Sequence, residues 1–151
     1  MVRFNRGWLA LEGHRFRPFQ ARIARERVVR YLDFLGQLEE DAWRERACDD
    51  IGAALPTMPF SLEMEAGVVA EIAALLDIDA NRLLHAEQSF TRHGPLRCGD
   101  LVAVESRLCD VTWKPASRVC FFGKESRFRV AGRLAVTSRS LYAIRASEEG
   151  P

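Results

Sequence analysis

The chain of 151 residues has the length of one domain and the composition of a folded protein, with 48% hydrophobic and 28% charged residues. Its 22 basic and 21 acidic side chains give a formal net charge of +1, which excludes bulk attraction to nucleic acid or to an anionic membrane. We predict a single domain over residues 1–151, with residues 1–12 and 146–151 peripheral or flexible.

The cysteines and the apolar segments indicate the compartment. Cys48, Cys98, Cys109 and Cys120 form no CxxC pair and stand apart from the three histidines, so no metal or other cofactor is predicted. The N-terminus lacks a continuous apolar segment, and the longest apolar-rich stretch, 66–78, is too short to span a bilayer. The sequence predicts reduced, mostly buried thiols in a cytoplasmic protein.

The first half of the chain is predicted to be mainly helical. Helical spacing of apolar residues and the stop signals Gly36 and Gly52 define two early helices, and prolines disfavour helix at the residues before them. The predicted elements are, in chain order, a short edge strand or extended lead-in over 16–24, a helix over 25–35, a more polar helix over 39–51, and a turn or extended loop over 56–59.

The strongest predicted helix spans Ser61 to Ile78. Ser61 is a candidate N-cap, and Glu63 and Glu65 fall in the first turn, where the helix dipole favours acids. Apolar and small residues cover most of the circumference, so this helix is expected to be buried on more than one side. Gly67 costs about 1 kcal/mol relative to alanine in a helix interior, which suggests a close approach at that point.

From Leu83 onward the pattern changes to long alternating runs separated by turn residues. The predicted strands cover 84–90, 101–113, 119–130 and 133–145. Turn signals between them favour antiparallel hairpins over parallel βαβ units. A sheet of about four meandering strands must cover its apolar face, and the long helix is the obvious cover. The predicted class is therefore α+β.

A specific segment adds to this pattern. Residues 84–100, LHAEQSFTRHGPLRCGD, resemble the segment LHxEQxFxxHxPLRxGD of N-terminal MaoC-like dehydratase domains, and the likeness extends over roughly residues 13–145. The resemblance implies a single hot-dog domain, an antiparallel curled sheet wrapped round one long central helix. It also implies partners of the acyl-thioester class, acyl groups carried on coenzyme A (CoA) or acyl carrier protein (ACP), in fatty acid metabolism.

Within this segment, His85 and Glu87 lie two apart and are expected on the same face of a strand. One interpretation is a general acid/base pair; the other is a hydrogen-bonded histidine at a sheet–helix or subunit contact. Arg97 is expected either to pair with Asp100 or to reach a ligand phosphate.

Catalytic members of the resembled family carry a segment like GDxNPLHxD after the first helix, with Asp and His five positions apart. Here, aligned on Gly36, Gln37 replaces the aspartate and Ala42 replaces the histidine. Glutamine does not titrate and alanine offers no proton, so this catalytic pair is missing. The resemblance then implies a substrate-binding, non-catalytic half of an (R)-3-hydroxyacyl-thioester dehydratase (enoyl-CoA hydratase, a lyase), in a heterodimer with a catalytic hot-dog subunit or in a homodimer.

Three functions remain open from sequence. In the dehydratase subunit, the acyl path would be lined by Pro59, Phe60, Met64, Gly67 and Val68. In a stand-alone acyl-CoA thioesterase, a carboxylate of the central helix would act as base or nucleophile, with candidates Glu63, Glu65 and Glu71. The third is an acyl-CoA-binding module without turnover.

Overall fold

A computed structural model of the chain describes residues 2–36 and 41–147. Six strands and five α-helices are present in these ranges. The strands are β1 (Val2–Arg3), β2 (Phe19–Arg22), β3 (Leu84–Arg92), β4 (Leu101–Lys114), β5 (Val119–Val130) and β6 (Arg133–Ser147). The helices are α1 (Arg25–Phe34), α2 (Asp41–Asp49), α3 (Ile51–Ala54), α4 (Met58–Glu65) and α5 (Val68–Leu75).

The sheet confirms the predicted α+β hot-dog arrangement, with one correction to the strand order. Strands β4, β5 and β6 form the expected antiparallel meander, and β2 pairs with β4 at one edge. Strand β3 does not join this meander beside β4; it crosses over and pairs antiparallel with β6. The short β1, which the sequence did not predict, pairs with β6 in parallel, so the sheet is mixed rather than wholly antiparallel as predicted.

The central helix is two helices rather than one. Gly67 has φ +78° and separates α4 from α5. A side chain built on Gly67 would meet nothing within 4 Å, so the glycine serves the left-handed backbone and not the predicted close approach. The predicted start is also wrong: α4 begins at Met58 with Pro59 in its first turn, and Ser61 lies inside it, donating its hydroxyl to the Met58 carbonyl (2.7 Å).

The first of the two early helices ends where the sequence predicts, and the second is interrupted. Helix α1 ends as predicted, with Gly36 at φ +72° after the C-cap Leu35. The second predicted helix is interrupted: α2 ends at Asp49, and the Asp50 side chain caps α3 by accepting the Ala53 amide (3.2 Å). Gly52 therefore lies within α3 and does not end a helix.

Two expectations about the periphery and the thiols are wrong. Phe4 and Trp8 are buried in the core, and Trp8 Nε1 donates to the Leu76 carbonyl (3.2 Å), so the described N-terminal residues are part of the packed domain. Cys48 and Cys98 form a disulfide between α2 and the connection that follows β3, instead of remaining thiols. Helix packing brings these two cysteines together across 50 residues of sequence, which no local pattern reveals.

The interior contains two apolar clusters. One lies under α1 to α4 and includes Leu32, Leu62 and Phe128; the other lies under α5 and includes Ile72 and Phe122. None of the helices in the described ranges is long and apolar enough to cross a membrane.

Candidate functional site

A bulge in β3 decides which side chains enter the site. The pairing with β6 skips Ala86, so His85 faces Tyr142 and Glu87 faces Leu141. The extra residue reverses the alternation, and His85 Nε2 contacts Gln88 Oε1 (3.1 Å). Glu87 lines an exposed cleft beside Asp110 and Arg139. The predicted placement of His85 and Glu87 on one face is therefore wrong.

His85 lies between two aromatic rings. Its imidazole stacks on Phe60 of α4 at 4.8 Å between ring centroids and on Tyr142 of β6 at 5.1 Å. Tyr142 is buried and Phe60 is half-buried, whereas His85 is exposed at the end of β3. The stack connects the outer strand to the interior between α4 and the sheet.

Behind this stack, the inner face of the sheet carries buried polar residues. Ser106, Ser126 and Ser138 occupy one row across β4, β5 and β6, and Lys124 and Ser140 occupy the next row. Ser106 and Ser126 share a hydrogen bond of 2.8 Å. We call these five residues the polar band.

Gln88 connects the stack to the polar band. Its side-chain nitrogen donates to Ser138 Oγ (2.7 Å), and its side-chain oxygen accepts from Ser140 Oγ (2.7 Å). Hydrogen bonds therefore run without interruption from the exposed His85 through Gln88 to the buried serines.

Glu63 of α4 faces the polar band from the helix side and forms hydrogen bonds with it. Its carboxylate Oε1 accepts from Lys124 Nζ and Ser126 Oγ, and Ser106 Oγ lies 3.4 Å away. Glu63 is 0% and Lys124 1% exposed. A fully desolvated ion pair is costly to bury, so its partners must be well placed.

Burial shifts the pKa values of Lys124 and Tyr142. Desolvation lowers the pKa of Lys124 and outweighs the opposing effect of the Glu63 carboxylate. Burial raises the pKa of Tyr142 to about 12. Glu63 Oε2 and the Tyr142 hydroxyl form no hydrogen bond of normal geometry with the described residues.

The residues predicted to line an acyl path do not share one surface. Pro59 and Val68 are buried, with Val68 packed in the cluster under α5. Phe60 and Met64 follow one another on the outer side of α4, where Met64 is 50% exposed. Gly67 lies at the helix break.

The other predicted side chains lie outside the cluster. Glu65 is exposed and forms an ion pair with Arg27, and Glu71 accepts the Arg17 amide at 3.5 Å. The Arg97 backbone amide, rather than its guanidinium, contacts Asp100 Oδ2 (2.8 Å). In the described ranges no group of His, Cys, Asp and Glu side chains could hold a metal ion.

All three histidines fall in the described ranges, and none of them contacts a carboxylate there. His14 packs against the ring of Phe16, and His93 Nε2 contacts Thr137 Oγ1 (2.9 Å). Gln37 lies outside the described residues, as does the side chain of Ala42, so the missing pair rests on sequence alone.

Lys124 and the serines of the polar band are not among the predicted site residues, although the strand pattern contains a signal for them. Lys124 and Ser126 alternate with the buried Phe122 and Phe128, so their parity placed them inside. Ser138 and Ser140 stand in the same relation to Val136 and Tyr142. Polar residues in the apolar phase of a strand mark a buried polar site.

The architecture described above is that of a hot-dog domain. Residues 10–138 match the model of the family described as FAS1-like, dehydratase domain region, and the chain belongs to that family. This confirms the MaoC-like hot-dog domain indicated by residues 84–100.

The chain is also similar to one sequence relative and to solved structures of the same fold. A UPF0336 protein of Thermobifida fusca is 29% identical over 92 residues, which cover 61% of this chain and 60% of that protein. HtdX of Mycobacterium tuberculosis superimposes with a TM-score of 0.65 at 18% identity, covering 85% of this chain and 51% of HtdX. The C-terminally truncated HadBC (3R-hydroxyacyl-ACP dehydratase) complex of the same organism gives a TM-score of 0.61 at 11% identity, covering 88% and 96%. The chain thus spans about half to three fifths of the first two proteins.

Proposed function

We propose that this chain is the acyl-thioester-binding, non-catalytic subunit of an (R)-3-hydroxyacyl-CoA or -ACP dehydratase. The observation that carries the proposal is the position of its histidines. Hydration and dehydration need a proton-transfer group near neutral pH, usually a histidine oriented by a carboxylate. His14, His85 and His93 form no such pair among the described residues.

A second hot-dog chain is the partner that this surface favours. Strand β3 pairs only with β6 within the described ranges, which leaves its outer edge open. Leu84 at the start of β3 is 60% exposed, and Met64 is 50% exposed one turn after Phe60, the α4 residue that stacks on His85. Open strand edges with apolar neighbours favour strand-to-strand association. The HadBC complex shows that hot-dog chains of this fold are found in hetero-complexes.

The thioesterase alternative receives less support from the geometry. Of its three candidate carboxylates, Glu65 is paired with Arg27 and Glu71 lies on the surface. Glu63 is enclosed and bonded to Lys124, so a thioester cannot reach it in this arrangement.

The test is co-expression with a hot-dog chain that carries the Asp-x4-His pair, sought first in the neighbouring reading frame. We expect a stable heterodimer that hydrates crotonyl thioester, while this chain alone does not. Release of thiol from acyl-CoA by this chain alone, lost in Glu65→Gln, would instead establish the thioesterase. Binding of acyl-CoA without turnover in any combination would leave a binding module.

A further inference from the structure

The buried ion pair of Glu63 and Lys124 bears on the length of the acyl chain that the domain can bind. The packed interface between the helices and the sheet is apolar at both ends and polar in the middle. Val104, Phe128 and Val136 form an apolar row on one side of the polar band, and Phe122 pairs with Tyr142 on the other. The band occupies the two rows between them on β5 and β6 and lies between the two apolar clusters, which both contact Phe19 of β2.

On the helix side, Glu63 of α4 lies opposite the polar band. It lies on the inner face of α4, between Leu62 in one cluster and Val68 in the other. Its bonds to Lys124 and Ser126 join helix and sheet at the band. A hydrocarbon chain that followed the helix–sheet interface from Phe60 towards Val68 would therefore meet the ion pair.

A hydrocarbon gains nothing from such a passage. Methylene groups offer no hydrogen bonds, and separating Lys124 from Glu63 would leave two buried charges without an opposite charge beside them. An aliphatic tail is accordingly stopped at the band, even though the aromatic stack of Phe60, His85 and Tyr142 offers it apolar contacts before that point.

We infer that Glu63 and Lys124 are specificity-determining residues that restrict this domain to short acyl chains by closing the helix–sheet space to hydrocarbon. The inference rests on the proposed function, because it assumes that an acyl thioester is the ligand. It adds a limit on the acyl chain that the family membership does not supply.

The test measures affinity against chain length in the full chain, assembled with its catalytic partner where one is required. The probes are non-hydrolysable thioether analogues of acyl-CoA with four, eight, twelve and sixteen carbons. Each buried methylene raises affinity about fourfold. We expect the wild type to gain affinity from four to eight carbons and less than about threefold from eight to sixteen.

The variant Glu63→Leu/Lys124→Met removes both charges together and keeps the side-chain volumes similar, so that no single buried charge is left behind. We expect it to gain at least about tenfold between eight and sixteen carbons. The control Arg107→Gln/Glu125→Gln removes an ion pair between β4 and β5 on the outer face of the sheet and should keep the wild-type profile. Circular dichroism of each variant establishes that it is folded.

Each outcome decides the question. A wild-type affinity that rises steadily to sixteen carbons, or a double variant with the wild-type plateau, overturns the inference and leaves the proposed function standing. If no analogue binds at any length, the proposed function itself fails and the inference falls with it. A purely structural role of the pair would change the unfolding temperature but not the chain-length profile.

Discussion

At the scale of single residues, the bulge at Ala86 changes which side chain His85 contacts. The alternation of β3 predicted that His85 and Glu87 act together, but the structure couples His85 to Gln88. Sequence could not reveal this, because one inserted residue reverses every side chain on one side of it without changing the local composition.

The two partnerships differ in a double-mutant cycle on unfolding free energy. We expect His85→Ala and Glu87→Gln to be additive within about 0.5 kcal/mol, as for residues on opposite faces. His85→Ala and Gln88→Ala should couple by more than about 0.5 kcal/mol, since they share a hydrogen bond. Strong coupling of His85 with Glu87 would restore the acid/base interpretation.

Tyr142 gives the fold a pH dependence in the alkaline range. Its pKa is raised by burial from 10.0 to about 12, so the neutral phenol is favoured in the folded state. The stabilising contribution is complete below pH 10 and is lost as the pH rises towards 12. Tyr142→Phe should flatten the decline of unfolding free energy over this interval and remove the late phase of tyrosine ionisation in ultraviolet absorbance. Tyr31→Phe, at the hydrogen bond to Thr57, is the control and should leave that late phase in place.

At the scale of elements, the strands were predictable and the helix break was not. Alternation over long runs located β4, β5 and β6 within a few residues, because each strand has one buried face. The stretch from Ser61 to Ile78 is apolar on nearly all sides, so periodicity could not show where it divides. The pairing of β3 with β6 and the disulfide depend on distant contacts, which a local pattern does not contain.

Gly67 tests the division of the central helix. In a continuous helix, Gly67→Ala would stabilise the protein by about 1 kcal/mol. At φ +78° the same change should destabilise it by about 1–2 kcal/mol. Chemical denaturation distinguishes the two signs, with Ala74→Gly in α5 as the reference for an ordinary helical glycine. Stabilisation by Gly67→Ala would show that the helix is continuous.

The packing of α4 on β5 can be tested through the buried ion pair of Glu63 and Lys124. Glu63→Leu or Lys124→Met alone leaves one buried charge and should cost about 3–5 kcal/mol, whereas the double variant should be neutral or more stable. Equal losses in the single and double variants would mean that the two side chains do not form a pair.

At the scale of the whole molecule, the disulfide ties the helical layer to the strand connection. The link between Cys48 and Cys98 closes a long loop, so its reduction should lower the unfolding free energy by about 2–4 kcal/mol. Thiol titration of unfolded protein prepared without reductant should find two free cysteines, Cys109 and Cys120. Four free thiols would contradict the pairing and support the reduced state expected from sequence.

The central claim about the whole molecule is that it holds an acyl thioester without its own proton-transfer pair. The direct measurement places binding and turnover side by side on the isolated chain, with crotonyl-CoA as ligand and substrate. We predict saturable binding and no hydration above the uncatalysed rate. Hydration by the isolated chain, or no binding to it or to its assembly with a catalytic hot-dog chain, would contradict the account.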